Sequence, residues 1–228
     1  MIHRFFVTGT DTEIGKTLCA CALMKAFETQ GFTTIGMKPV AAGINADGSN
    51  DDVRQLKAAA TVAAPDEWIA PYVFKQAIAP HLAAALENIK IDQQTIIHTE
   101  QLLQLLADVV VIEGAGGFRI PLGQINNRFW DSADLVVDLN CPVILVVGLR
   151  LGCINHALIT VEAIDGRGLK LAGWIANVVD AEMSALDENI LTLKSLINAP
   201  LLGVIPRLSD GENAKTASQN LDITALLI

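Results

Sequence analysis

Phe6-Val7-Thr8-Gly9-Thr10-Asp11-Thr12-Glu13-Ile14-Gly15-Lys16-Thr17 is the stretch whose reading decides the fold. An apolar β-type run over residues 4–8 stops at Gly9. Residues 17–30 then carry Leu18, Cys21, Ala22 and Lys25 at helical spacing, and Gly31 follows as a helix stop. Strand, glycine turn and helix thus enclose Gly15-Lys16-Thr17, the end of a Walker A phosphate loop. Five residues separate Gly9 from Gly15 where the usual loop has four, which narrows the match to a subset of such loops. The residue types suit phosphate. Gly15 lets the backbone approach closely, and the N–H groups at a helix start present positive potential. Lys16 adds a mobile charge for the β- and γ-phosphates, and the Thr17 hydroxyl is a ligand type for Mg²⁺.

Outward from the loop, the chain alternates strands and helices. Residues 33–37 read as a second strand. Residues 108–112, 142–148, 171–177 and 201–205 are short apolar runs, the pattern of strands buried on both faces. Residues 51–60, the segment opening at Pro80 and residues 93–106 read as helices, with a polar loop at 45–50. The expected fold class is α/β: a single-domain P-loop NTPase fold over residues 1–228, with a mostly parallel sheet and helices on both faces. Glycine and polar residues gather after each apolar run, at 9–16, 38–43, 113–117, 148–155, Asn177 and Pro206. Ligands of open parallel sheets bind beyond the carboxyl ends of the strands, so these clusters mark the candidate site.

The chain has 228 residues, 51% of them apolar, and a net charge of −9. Such a length can bury a full core. The acidic surface argues against nucleic acid or an anionic membrane as partner, while a local nest of amides and lysines still suits a small anion. Residues 1–7 are too short an apolar run for a signal peptide, and residues 142–148 fall far short of a membrane span. Four cysteines without framework spacing read as buried free thiols. A cytoplasmic protein is expected.

Further acids and cations complete the candidate site. Glu113 directly follows an apolar strand, as a Walker B acid does. Asp51 and Asp52 open a helix and read as caps. Lys38, ending the second strand, is expected beside the phosphate loop. His81 and His156 lie near helix starts and read as hydrogen-bonded structural residues.

Seven further segments, in order, carry a family resemblance. They are Gly36-Met37-Lys38-Pro39-Val40, Ala79-Pro80-His81, Val111-Ile112-Glu113-Gly114-Ala115-Gly116-Gly117, Pro142-Val143-Ile144-Leu145-Val146-Val147-Gly148, Leu151-Gly152-Cys153-Ile154-Asn155-His156-Ala157, Leu171-Ala172-Gly173-Trp174-Ile175-Ala176-Asn177 and Pro200-Leu201-Leu202-Gly203-Val204-Ile205-Pro206. With the phosphate loop, they make the chain resemble dethiobiotin synthetase over nearly its full length. The resemblance implies the ATP-dependent carboxylation and ring closure of 7,8-diaminononanoate with CO₂ or bicarbonate, in biotin biosynthesis. The route passes through a carbamate and a carbamic–phosphoric anhydride.

The resemblance assigns Lys16 and Lys38 to the reacting centre, and Thr17, Asp52 and Glu113 to Mg²⁺. Thr12, Glu13, Ile14, Gly15, Lys16, Thr17, Leu18, Asp52, Glu113 and Gly116 are implied along the nucleotide. Asn177 is the implied adenine contact, with Pro206 and Leu208 near the base. The family is a homodimer with substrate at the interface. Lys38 and the helix start at Gly152, Cys153, Ile154 and Asn155 are the implied substrate contacts, the latter read otherwise as a plain turn capped by Asn155. Ala42, Val178 and Asp131 depart from the family pattern.

Two alternatives compete. A cobyrinic acid amide synthase type of amidoligase would carry a glutaminase domain, for which 228 residues leave no length. A P-loop switch ATPase of the partitioning type would carry an extra lysine early in the loop, where residues 10–13 offer two acids instead.

Overall fold

Apolar alternation along the first strand sends Phe6 to one face of a sheet and Phe5 and Val7 to the other, and the whole architecture repeats that division. The computed structural model describes residues 3–125, 127–209 and 211–227. In chain order the elements are β1 (His3–Gly9), α1 (Lys16–Thr29), β2 (Thr34–Met37), β3 (Val40–Ala42), α2 (Asp51–Ala59), α3 (Asp66–Ile69), β4 (Tyr72–Phe74), α4 (Pro80–Leu86) and α5 (Gln93–Leu103). There follow β5 (Val109–Glu113), β6 (Pro121–Ile125), β7 (Arg128–Asp131), α6 (Ser132–Leu139), β8 (Val143–Leu149), α7 (Cys153–Asp165), β9 (Leu171–Val178), α8 (Leu186–Leu196), β10 (Leu201–Ile205) and α9 (Ala214–Ser218).

Six strands form one sheet in the order β10-β9-β8-β1-β5-β2, and every pairing in it is parallel. On one face α1 packs Leu23, Met24 and Phe27 against Val7, Val109, Val111 and Ile144. On the other, α5 and α6 cover Phe6, Ile35 and Val110 with Ile96, Leu103 and Val136. Each such side chain contributes roughly 1.5–3 kcal/mol when fully buried. β5 and β8, buried along their whole length, need the near-continuous apolar runs seen in the sequence.

Strand order reverses at β1, which lies between β5 and β8. The switch point therefore opens at the end of β1, where the phosphate loop begins.

Several elements escaped the sequence reading. β3 and β4 make a short parallel pair, and β6 and β7 an antiparallel hairpin. The departure at Asp131 has a structural use: its carboxylate accepts from the Asp134 N–H in a capping box that starts α6, and from Arg119 Nε at 2.9 Å. The expectation that Asp51 or Asp52 caps α2 is corrected. The cap is Asn50, whose side chain accepts from the Val53 N–H at 3.1 Å. All four cysteines are buried and free. Among the described residues no helix is long and apolar enough to cross a membrane. Met1 and Ile2, part of the stretch read against a signal peptide, lie outside the described residues.

Candidate active site

The register of three strands assembles the site. β1 sets Val7 opposite Glu113 on β5, and β2 sets Met37 opposite Ile112. Glu113 and Lys38 therefore leave neighbouring strand ends side by side, beneath the start of α1. The loop between β1 and α1 turns through two left-handed residues, Glu13 at φ 58° and Gly15 at φ 78°. Left-handed backbone strains a non-glycine residue at Glu13. Glycine is also required at Gly15 because a Cβ there would lie 2.3 Å from Asn177 Nδ2.

Around the loop, cations and carboxylates interlock. Lys38 Nζ stands 2.7 Å from Glu113 Oε1 and 2.8 Å from Asp52 Oδ2. The Thr17 hydroxyl lies 2.7 Å from Asp52 Oδ1 and 2.8 Å from Glu113 Oε1. Lys16 Nζ donates to the Asp11 carbonyl at 2.7 Å. Lys16, Lys38 and Glu113 are all buried, and Asp52 is partly open. Burial, and then repulsion from Lys38, pulls the Lys16 ammonium down to about 8, against the opposing pull of Glu113, Asp52 and Asp11. Burial would also depress Lys38, but Glu113 and Asp52 hold it above the ordinary lysine value. Burial would raise Asp52, and the Lys38 ammonium and Thr17 hydroxyl bring it below the usual carboxylate range. Burial lifts Glu113, with Lys38 opposing.

This donor set fits Mg²⁺. A hydroxyl has one proton, so Thr17 can donate to only one of its two carboxylate neighbours. A second carboxylate oxygen, Glu113 Oε2, is buried without a hydrogen-bond partner among the described residues. Crowded hard oxygens, one of them orphaned, suit a divalent cation. Among the described residues no three His, Cys, Asp or Glu side chains converge as a cage. Nucleotide-bound Mg²⁺ needs none, since it keeps waters and phosphate oxygens as ligands.

Thr12, Glu13, Gly15, Lys16, Thr17, Leu18, Lys38, Asp52, Glu113 and Gly116 all line one cleft of about 380 Å³. Gln55 lines it too and was missed; its only sequence signal is its place three residues after Asp52 on α2, the same helical face. Ile14 is different. Its side chain is fully buried, and a Cβ on Gly148 would meet it at 2.4 Å and one on Gly9 at 2.7 Å. Asn177, the penultimate residue of β9, donates from Nδ2 to the Ile14 carbonyl at 2.7 Å. Pro206 and Leu208 follow Ile205, the β10 partner of Asn177.

Gly152, Cys153, Ile154 and Asn155 are not among the residues that line this cleft. They open α7, and the reading of a turn capped by Asn155 is corrected. Gly152 is the cap position, at φ 95°, and no side chain of the described residues bonds there. His81 departs from its expected role as well: its Nδ1 is buried without a partner among the described residues, and its ring meets Phe129 edge-on at 6.2 Å.

A phosphate loop, a strand-end acid and a buried second lysine define a chemistry more than a family, and comparison with known proteins supplies the latter. An AAA-domain family pattern matches residues 3–215. The ATP-dependent dethiobiotin synthetase of Ralstonia nicotianae is 50% identical over 225 residues, 97% of this chain and 96% of that protein. The ATP-dependent dethiobiotin synthetase of Aromatoleum aromaticum is 50% identical over 219 residues, covering 95% and 96%. The chain belongs to the dethiobiotin synthetase family.

Among solved structures, the MinC:MinD cell division complex of Aquifex aeolicus superposes with a TM-score of 0.57 at 12% identity, over 94% of this chain and 86% of that one. The septum site-determining protein MinD of Pyrococcus horikoshii gives 0.53 at 15%, over 91% and 82%. This chain and these division proteins share the P-loop α/β fold. At such identities the likeness extends to the fold alone.

Proposed function

We propose that this chain is an ATP-dependent dethiobiotin synthetase of biotin biosynthesis, formed as one domain over residues 1–228. It takes 7,8-diaminononanoate and CO₂ or bicarbonate to the cyclic urea of dethiobiotin. One amine of the diamine adds to CO₂ and loses a proton, giving a carbamate. A carbamate oxygen attacks the γ-phosphorus and ADP leaves. The second amine attacks the carbonyl carbon of the mixed anhydride, the carbon–oxygen bond to phosphate breaks, and that amine gives up its proton as the ring closes.

The difficulty lies in the second step, where an anionic carbamate must reach an anionic phosphate. Such reactions ask the protein for positioning and charge cancellation more than for covalent help. Lys16, the first residue of α1, and Lys38, just after β2, would flank the γ-phosphate. Loop amides and the α1 N-terminus hold the phosphates. Thr17, Asp52 and Glu113 would hold Mg²⁺, which supplies charge neutralisation between the phosphates. Asn177, with Pro206 and Leu208, receives the base. Gly152 to Asn155 of one protomer receive the substrate carboxylate at the N-terminus of α7 in a homodimer. The setting is cytoplasmic, with no nucleic acid and no membrane as partner.

The observation that carries this reading is the buried contact of Lys38 with Glu113 and Asp52 directly against Thr17. The decisive assay follows phosphate release and dethiobiotin by mass spectrometry. Turnover that requires both the diamine and bicarbonate is the expected result. Turnover stimulated instead by DNA or lipid vesicles would overturn it in favour of a partitioning-type switch.

A further inference from the structure

The phosphate loop is one residue longer than usual, and a longer loop has more backbone freedom to lose. It is nevertheless tied to the neighbouring strand ends at several points. The Thr10 N–H donates to the Val146 carbonyl at 3.0 Å. Asp11 pairs with Arg150 just beyond β8. The Ile14 side chain fills a socket that exists only because Gly9 and Gly148 lack a Cβ. Gly148 and Asn177 are register partners on β8 and β9, so the socket and the amide that grips the Ile14 carbonyl are adjacent.

Asn177 is the buried polar side chain of this set. Its Nδ2 nearly touches the α-carbon face of Gly15, the residue whose φ of 78° aims the loop into α1. We propose that Asn177 is a positioning residue for the phosphate loop: its hydrogen bond to the Ile14 carbonyl fixes the loop amides around the phosphates whatever base the nucleotide carries. The amide keeps Oδ1 and a second Nδ2 hydrogen for other partners, so a base contact remains compatible with the grip. The inference rests on the proposed binding of a triphosphate at this loop and adds the way the loop is held.

The test separates the phosphates from the base. Calorimetry with Mg²⁺ compares inorganic tripolyphosphate, ATP and GTP on the wild type, on Asn177→Ala, which removes the donor and adds no charge, and on Asn177→Asp, which removes the donor and adds a negative charge. The expected result is a loss of about tenfold on all three ligands by a common factor, as a lost buried hydrogen bond with an orphaned carbonyl gives. A fall in kcat at saturating ATP should accompany it. Unchanged tripolyphosphate affinity with weakened ATP would overturn the proposal and leave Asn177 as a base contact only. A loss that Asn177→Ala shares marks the missing donor, whereas a loss confined to Asn177→Asp is charge repulsion and would overturn the proposal. A variant-free measurement stands beside both: in wild type without nucleotide, the Asn177 side-chain amide protons should exchange slowly by NMR, and fast exchange would refute the grip. If wild type binds no tripolyphosphate or ATP at all, the proposed function fails instead.

Discussion

Two helices begin in the same way and are used differently. α1 and α7 each follow a parallel strand, β1 and β8. Each opens with a left-handed glycine, Gly15 at φ 78° and Gly152 at φ 95°, and neither has a side-chain cap among the described residues. Around α1 the chain closes in, with Lys16 and Lys38 buried and Asn177 pressed on Gly15. Around α7 it does not: Leu151 is 95% exposed, and a Cβ on Gly152 would meet nothing within 4 Å. One helix N-terminus is thus walled in by its own chain, and the other opens among the exposed residues Leu151, Gly152 and Asn155, with its first amide, on Cys153, bonded to the Arg150 carbonyl. The difference teaches that the backbone device for binding an anion is generic, while the walls around it decide which anion enters and whether another molecule must complete the site.

The largest effect that tests this contrast comes from removing the walls of the closed end. Lys16→Ala and Lys38→Ala should each lower kcat by roughly a hundred- to a thousandfold, since a transition-state donor is worth about 3–4 kcal/mol. Both proteins should still melt cooperatively, Lys38→Ala at the lower temperature because it leaves the buried Glu113 carboxylate without its cation. Near-normal turnover in either would remove that lysine from the reacting centre. Glu113→Gln should next raise the Mg²⁺ concentration for half-maximal activity by roughly tenfold or more, the range seen when metal-site groups are altered. A superimposable Mg²⁺ titration would count against Glu113 as a ligand.

A pH effect sharpens the same comparison. The Lys16 pKa lies near 8 because the closed end desolvates it and Lys38 repels it. Below that pH the free protein carries the ammonium that a triphosphate needs. As pH rises through about 8 the ammonium is lost, so nucleotide affinity should fall, and binding above pH 8 should take up a proton. Calorimetry at pH 7 and pH 9 in buffers of different ionisation enthalpy reads that proton directly. No buffer dependence at pH 9 would mean that Lys16 stays charged in the free protein.

The closed end was largely legible in the sequence, the open end less so. Gly15, Lys16 and Thr17 speak for themselves because their chemistry is local to one turn. The strand at 201–205 has the predicted bounds, and β5, at Val109–Glu113, lies one residue later at each end than expected, because short continuous apolar runs have few alternatives. β3, β4, β6 and β7 were missed because they are three to five residues long and only partly buried, so neither period nor composition marks them. Asp52 read as a cap because an acid in the first turn of a helix usually is one. Its contact with Lys38 and Thr17 depends on the placement of α2 against α1, which no local pattern encodes. The same holds for Ile14 and Asn177, separated by 163 positions and joined only through the β8–β9 register.

The smallest expected effect concerns the open end and turns on two opposite signs. Asn155 is the third residue of α7 and is exposed. An aspartate there suits the helix, because a negative charge in the first turn favours the dipole by roughly 0.3–1 kcal/mol. It does not suit a bound carboxylate, which it would repel across the same amides. Asn155→Asp should therefore leave the melting temperature unchanged or slightly higher while raising KM for the diamine about fivefold, and ATP affinity should not move. The opposing directions separate a ligand site from an ordinary helix start, since a purely structural role predicts the gain in stability alone. An unchanged diamine KM would detach α7 from substrate binding and leave the phosphate loop as the one anion site that this comparison supports.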